Sequence, residues 1–198
     1  MLTRTYTVRD WDPERRRLTV DFVVHGDTGV AGPWALGAQV GDAIQFVGPG
    51  GAYVPNPEVG WHVFVGDESA LPAIAASLER VPTGATAHAV IQVPAPGHRI
   101  PLACAGALRI EWRDGSGEQE ILEAVRALEF PAEGSVQAFV HGEATMVRVV
   151  RRHLLLERGL ALEALSASGY WKRDRTEDGW REDKAEWNRL AERDIVSR

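Results

Sequence analysis

The sequence predicts an α/β protein: a mostly parallel sheet with crossover helices, preceded by a short β-rich segment and closed by a C-terminal helix. Three observations carry this. Beyond residue 60, apolar runs of strand length alternate with helical periodicity, the pattern of strands joined by right-handed crossovers. Before residue 48 the apolar residues are largely β-branched or aromatic, and turn residues separate them. Between the two lies 48–60, dominated by Gly and Pro, which marks the best domain boundary.

Taken in order, 3–9 and 17–25 read as strands around a charged turn at Asp12 and Pro13. A Gly-rich loop leads into a short helix, then a strand at 43–47. The second domain opens with a strand at 61–65 and a helix near 72–80. Strands at 87–93 and 107–112 follow, then a helix near 119–128. A strand at 135–140, a helix at 144–158 and a strand at 162–167 complete the alternation. From Tyr170 the chain reads as a basic loop and a helix near 181–193. This partitions the chain into 1–55, 56–170 and 171–198, with ligands expected at the carboxyl ends of the parallel strands.

The chain has 198 residues, with 44% hydrophobic and 25% charged residues. No apolar run approaches the roughly 20 residues of a membrane-spanning helix, and the start has no apolar h-region, so a cytoplasmic protein is expected. Cys104 is the single cysteine, which excludes an internal disulfide or a cysteine-rich zinc site. A net charge of −6 argues against sequence-independent nucleic-acid binding. That charge resides in residues 1–170, because from Trp171 to Arg198 eight basic residues meet eight acidic ones. Twenty of the 22 basic residues are Arg, a bias that suits anion recognition but that genome composition explains first, with no function attached.

Several constellations carry chemistry. On Arg4-Thr5-Tyr6-Thr7-Val8-Arg9, alternation sets Tyr6 opposite Thr5 and Thr7, beside two guanidinium groups. It reads either as an edge strand or as a plate for a flat ring with cations for a pyrophosphate. The stretch from His25 to Ala35 leaves a strand through small residues and enters a helix, whose first amides suit an anion. Gly66-Asp67-Glu68-Ser69-Ala70-Leu71-Pro72 is a strand-to-helix turn with Ser69 as N-cap candidate and Pro72 in the first turn. It is not GxGxxG, and two carboxylates stand where a phosphate is expected. His141-Gly142-Glu143-Ala144 reads as a second such turn, with Glu143 either functional or complementing a helix start. Arg148, Arg151 and Arg152 share one helix face, read as solvated. Ser168-Gly169-Tyr170-Trp171-Lys172-Arg173-Asp174-Arg175 places two aromatics and three cations past the last strand. Arg99, after the second strand of the α/β domain, reads as a loop residue or a partner for a 2′-phosphate. The six His show no HxxxH spacing, and neither a P-loop nor a GxSxG elbow is present.

In order, RTYTVR, HGDTGVAGPWA, GPGG at 48–51, GDESALPAI, HGEA and SGYWKRDRTEDG resemble the siderophore-interacting protein family. These are FAD-dependent ferric-siderophore reductases of the ferredoxin-reductase superfamily. The resemblance implies an FAD-binding β-barrel portion over 1–55 and an NAD(P)H-binding α/β domain over 56–170. Electrons would pass from NADPH or NADH through FAD to siderophore-bound iron(III), releasing iron(II) for iron acquisition. Matching motif positions assign FAD contacts to Arg4, Tyr6, Thr7, Arg9, His25, Gly26, Gly29, Ala31, Gly32, Trp34, Tyr170 and Trp171. The nicotinamide side falls to Asp67, Glu68, Ser69, Ala70, Gly142 and Glu143, and the ferric siderophore to Lys172, Arg173 and Arg175.

The resemblance implies no acid/base residue and no protein ligand to the iron, which the siderophore coordinates. Two departures stand out. Val30 and Gly32 replace part of the usual GPAS, removing one phosphate-facing hydroxyl. The chain also starts at the flavin motif, so barrel strands found ahead of it in the family are expected to be absent. Either the chain is then a truncated product with a wrong start, or a partner or second copy covers the exposed side. The rival reading is a non-catalytic siderophore- or nucleotide-binding remnant that has lost flavin. Neither nucleic-acid binding nor membrane insertion is expected.

Overall fold

The computed structural model describes residues 3–24, 26, 29–51, 53–115 and 117–196. The chain divides into two compact units, Met1–Ala52 and Tyr53–Arg198.

In the first unit, β1 (Asp10–Asp12) pairs antiparallel with β2 (Arg17–Thr19), Trp11 opposite Leu18. The Arg9 amide extends the ladder to the Thr19 carbonyl at 2.9 Å. The Asp12 carboxylate shapes the turn, accepting from the Arg15 amide and guanidinium, both at 2.9 Å. These bonds hold its carboxyl below the usual range. Arg16 takes the left-handed conformation at φ 50°. Helix α1 (Ala31–Gly37) follows. The expected strands at 3–9, 17–25 and 43–47 are realised only in part: among the described residues 17–19 form a strand, whereas 3–9, 20–24 and 43–47 belong to none. Their β-branched composition favours extended backbone, but a ladder also needs a neighbouring segment. Ile44, Phe46 and Val47 are exposed.

The second unit is a five-stranded, wholly parallel sheet in the order β5-β4-β3-β6-β7. Strand β3 (Trp61–Asp67) is buried along its whole length, as a central parallel strand requires. A single 3₁₀ turn, Glu68–Ala70, leads into α2 (Leu71–Leu78), with Pro72 in its first turn. Then come β4 (Thr86–Val93), β5 (Ala107–Asp114), α3 (Glu118–Ala127), β6 (Val136–Glu143) and α4 (Ala144–Arg152). Helix α4 widens into a π turn at His153–Glu157, before β7 (Leu165–Trp171) and the 20-residue α5 (Glu177–Val196).

Alternation along the strands feeds two cores. Val63, Val65, Val90, Ala138 and Val140 meet α3, α4 and α5 on one face. Phe64, Ala89, Ile91 and Phe139 meet Leu71, Ile74 and Leu78 of α2 on the other.

Four expectations are corrected. The segment His141-Gly142-Glu143 is the end of β6 and not a turn after it. The last strand lies at 165–171 instead of 162–167, so Tyr170 and Trp171 are strand residues. The C-terminal helix is longer than 181–193 and packs Trp180, Trp187 and Ala191 into the core. The arginine face of α4 is solvated only in part, because Arg148 and Arg151 dock α5 while Arg152 stays exposed. Arg148 forms a bidentate pair with Asp194 at 2.5 and 2.8 Å, and Arg151 donates to the Ala191 carbonyl.

Candidate functional site

The strand order reverses between β3 and β6, and their carboxyl ends, Asp67 and Glu143, meet at this switch point. Asp67, 8% exposed, accepts four hydrogen bonds. Its Oδ1 receives the Ser69 amide at 2.9 Å and the Ser69 hydroxyl at 2.5 Å. Its Oδ2 receives the Glu143 amide at 2.6 Å and the Trp171 indole N–H at 2.8 Å. Burial raises its carboxyl above the usual range, and the hydrogen bonds oppose that shift. Asp67 therefore caps the 3₁₀ turn, in place of Ser69. Gly142 makes room for the carboxylate: at φ +137° it has a left-handed backbone, and a Cβ there would lie 2.7 Å from Asp67 Oδ2.

Glu143 caps α4, its Oε2 accepting from the amides of Thr145 and Met146 at 2.7 and 2.9 Å. Its Oε1 receives the Thr145 hydroxyl and the Arg173 amide, both at 3.3 Å. Of the other residues expected on the nicotinamide side, Glu68 pairs with His98 at 2.6 Å, and Ala70 is fully buried. Arg99 is held by both carboxylate oxygens of Asp114 at 2.8 and 2.7 Å.

A bulge opposite Gly142 and Glu143 pairs Gly142 with Gly169 but Glu143 with Trp171. The extra residue, Tyr170, lies edge-on to His141 with centroids 5.0 Å apart. Desolvation, with the Asp67 charge nearby, pushes the Tyr170 phenol up to about 12. His141 stacks on Phe139 at 3.8 Å and contacts the Ser166 hydroxyl through Nε2 at 2.9 Å. Burial and the Lys184 charge push its imidazole down to about 3. Beyond the bulge, Lys172 and Arg173 line an open cleft of about 510 Å³ with Gly117, Glu118, Glu143, Thr145 and Asp174. Arg175 is tied to Asp183 of α5 at 2.9 Å. Gly117, Glu118 and Thr145 carry no motif that would have marked them in the sequence, and His141, though part of HGEA, is given no role by that motif.

Within the first unit, Tyr6 packs on Phe22 at 4.6 Å and Phe22 on Trp34 at 5.8 Å, leaving Tyr6 and Trp34 each 39% exposed. Thr7 is half-buried, and Arg9 lies 3.8 Å from Asp21. The Arg4 guanidinium donates to the Thr3 carbonyl at 3.0 Å. Gly26 and Gly29 have positive φ and open space where a Cβ would stand. Ala31 and Gly32 open α1, whose first amides receive no side-chain cap. His25 lies outside the described residues. Exposed rings, guanidinium groups, open glycines and uncapped amides form a donor set that fits a flavin nucleotide. Among the described residues, no cluster of His, Cys, Asp or Glu could hold a metal ion, and no helix is long and apolar enough to cross a membrane.

Comparison with known proteins gives two family matches, Siderophore-interacting protein over residues 59–174 and Siderophore-interacting FAD-binding domain over residues 1–53. The chain is 36% identical over 188 residues to the ferric vibriobactin reductase ViuB of Vibrio cholerae, covering 91% of this chain and 68% of that protein. It is 30% identical over 172 residues to the NADPH-dependent ferric-chelate reductase of Escherichia coli, covering 85% and 66%. The crystal structure of the siderophore-interacting protein SipS from Aeromonas hydrophila superposes with TM-score 0.83 at 28% identity, covering 92% of this chain and 73% of that one.

Proposed function

The chain belongs to the siderophore-interacting protein family, and we propose that it is a ferric-siderophore reductase that uses FAD and NAD(P)H. The observation that carries this reading is the arrangement of Trp171, Lys172 and Arg173 at the carboxyl end of β7, opening on a cleft beside the switch point. A ferric siderophore is bulky and often anionic. Lys172 and Arg173 would attract its anionic groups locally, against the carboxylates of Glu118, Glu143 and Asp174 in the same cleft, and the exposed Trp171 face would offer stacking, with no covalent step.

FAD, when bound, supplies a hydride acceptor that can pass on electrons singly. In the first unit, Arg4 and Arg9 would neutralise its pyrophosphate, and Tyr6 would stack on the ring. Thr7 would hydrogen-bond a ring nitrogen, and the backbone at Gly26, Gly29, Ala31 and Gly32 would follow the phosphates below Trp34. In the second unit, Tyr170 would limit water access, its phenol remaining protonated at neutral pH. The names of the two reductase relatives support iron(III) chelates as substrate, and one of them supports NADPH as donor. The siderophore would coordinate the iron throughout, so the chain's task is positioning and no general base is required.

The test is a flavin absorption spectrum of the purified chain, then anaerobic NADPH, then a ferric tris-catecholate with ferrozine to trap iron(II). Bleaching followed by the ferrozine colour supports the reading. Bleaching without iron(II) reduces it to a flavin reductase. No FAD binding up to about millimolar, barely −4 kcal/mol, favours the non-catalytic remnant.

A further inference from the structure

We propose that Asp67 and Glu143 are positioning residues that clamp the segment from Trp171 to Arg173, and through it determine how a ferric chelate is held. This rests on the reductase reading above. It gives the two carboxylates a role other than contact with the hydride donor.

The argument begins with acceptor capacity. An ionised carboxylate offers about four lone-pair sites. Asp67 uses four: the Ser69 amide and hydroxyl on Oδ1, the Glu143 amide and Trp171 indole on Oδ2. None is left for an incoming carboxamide. Glu143 is engaged in the same way, with two α4 amides on Oε2 and the Arg173 amide on Oε1. The two carboxylates are joined in series, because the amide that Asp67 accepts belongs to Glu143.

The clamped segment is the part that faces solvent. Trp171 is 40% exposed, with its indole N–H tied down and much of its surface open. An indole held at one end keeps a single rotamer, so a chelate docking on it does not have to order it. The Arg173 amide bond to Glu143 sets the path of the backbone that carries Lys172 and Arg173 along the cleft. Gly142 completes the arrangement, since any side chain there would collide with the Asp67 carboxylate.

The test uses the full chain labelled with ¹⁵N. Trp171→Phe assigns the Trp171 indole signal by its disappearance. In the wild type that proton should lie downfield and exchange with water more slowly than that of the exposed Trp11. In Asp67→Asn it should move upfield and exchange faster. Steady-state kinetics with NADPH and a ferric tris-catecholate should show KM raised about tenfold by Asp67→Asn, the loss of one hydrogen bond to a charged group, with kcat changed much less. The double replacement should raise KM by less than the product of the two single effects, because Asp67 and Trp171 share one bond. A wild-type Trp171 proton that exchanges as fast as that of Trp11 overturns the clamp, even if Asp67→Asn fails to fold. Multiplying KM effects overturn it too. A wild type that reduces no ferric chelate sinks the reductase reading and with it the docking role, while the indole signal still judges the clamp.

Discussion

Replacing Gly142 with Ala tests how rigidly the switch point is built. The new Cβ would lie 2.7 Å from both Cγ and Oδ2 of Asp67 and 2.9 Å from Oδ1. A flexible side-chain tip would swing aside, but Asp67 is fixed by bonds from Ser69, Glu143 and Trp171. Two costs add. Holding a non-glycine residue at φ +137° costs about 1–3 kcal/mol. Displacing the carboxylate weakens its bonds to Glu143 and Trp171, each worth about 1.5–3 kcal/mol. Partial relaxation brings the expected loss to about 4 kcal/mol, roughly 10 °C in Tm at ~2–4 °C per kcal/mol.

The assay is urea unfolding followed by circular dichroism, with two controls. Gly84→Ala has the conformational strain alone, because φ is +92° and nothing lies within 4 Å of its Cβ position, so about 1 kcal/mol is expected. Gly66→Ala has the collision alone, at 2.8 Å from both the Ala70 Cβ and the His141 carbonyl, without a positive φ. Should Gly142→Ala be no more damaging than Gly84→Ala, the carboxylate moves freely and the reasoning about Asp67 is wrong.

Other consequences are open to direct measurement. Replacing Lys172 and Arg173 together with Gln should raise KM for an anionic ferric chelate several-fold at low salt. That difference should fade as the Debye length falls from about 10 Å at 0.1 M to about 3 Å at 1 M, and a salt-independent difference would refute a charge role. Trp187→Ala should cost about 3–5 kcal/mol in urea titrations, since Trp187 is 8% exposed within the core and its indole donates to the Ala144 carbonyl at 3.2 Å. The partly exposed Arg148 and Asp194 pair should contribute only about 1 kcal/mol in a double-mutant cycle. His141 titrates near 6.5 when unfolded and about 3 when folded, so the unfolded state alone takes up its proton as pH falls below 6.5. Its burial therefore weakens the fold progressively from pH 6.5 downward, by up to the order of 4 kcal/mol near pH 3. His141→Gln should flatten that slope, and an unchanged slope would show that His141 is solvated.

The strands that the sequence displays plainly are those buried on both faces: Val63-Phe64-Val65 and Ala89-Val90-Ile91 leave little alternative to a central parallel strand. Strand β7 was displaced because it is an edge. Ser166, Ser168 and Gly169 dilute its apolar signal, while Leu162 just before it mimics a strand start. The end of β6 was concealed by Gly142, which reads as a turn residue but serves a close approach of Asp67. In α5 a dense mixture of charges hides Trp180, Trp187 and Ala191, whose spacing of seven and four places them on one face. For 3–9 and 43–47 the composition was legible, but pairing is a property of two segments and not of one. At the site, Glu143 and Trp171 stood out as motif residues. That both bind the same carboxylate was not legible, since they lie 76 and 104 residues along the chain from Asp67.

That separation bears on the order of events during folding. Asp67 ends the first strand of the parallel sheet and Trp171 ends the last, so their bond closes a loop of most of the unit. Closing so long a loop is entropically unfavourable until intervening contacts have shortened it, which places the bond late, after β6 has joined β3. A chain emerging from the ribosome cannot make it before residue 171 has cleared the exit tunnel. In a chain that stalls with its edge strand undocked, the indole N–H of Trp171 lacks its acceptor. The cleft beside Lys172 and Arg173 then has no fixed wall, and the proposed capture of an iron chelate would wait on completion of the sheet.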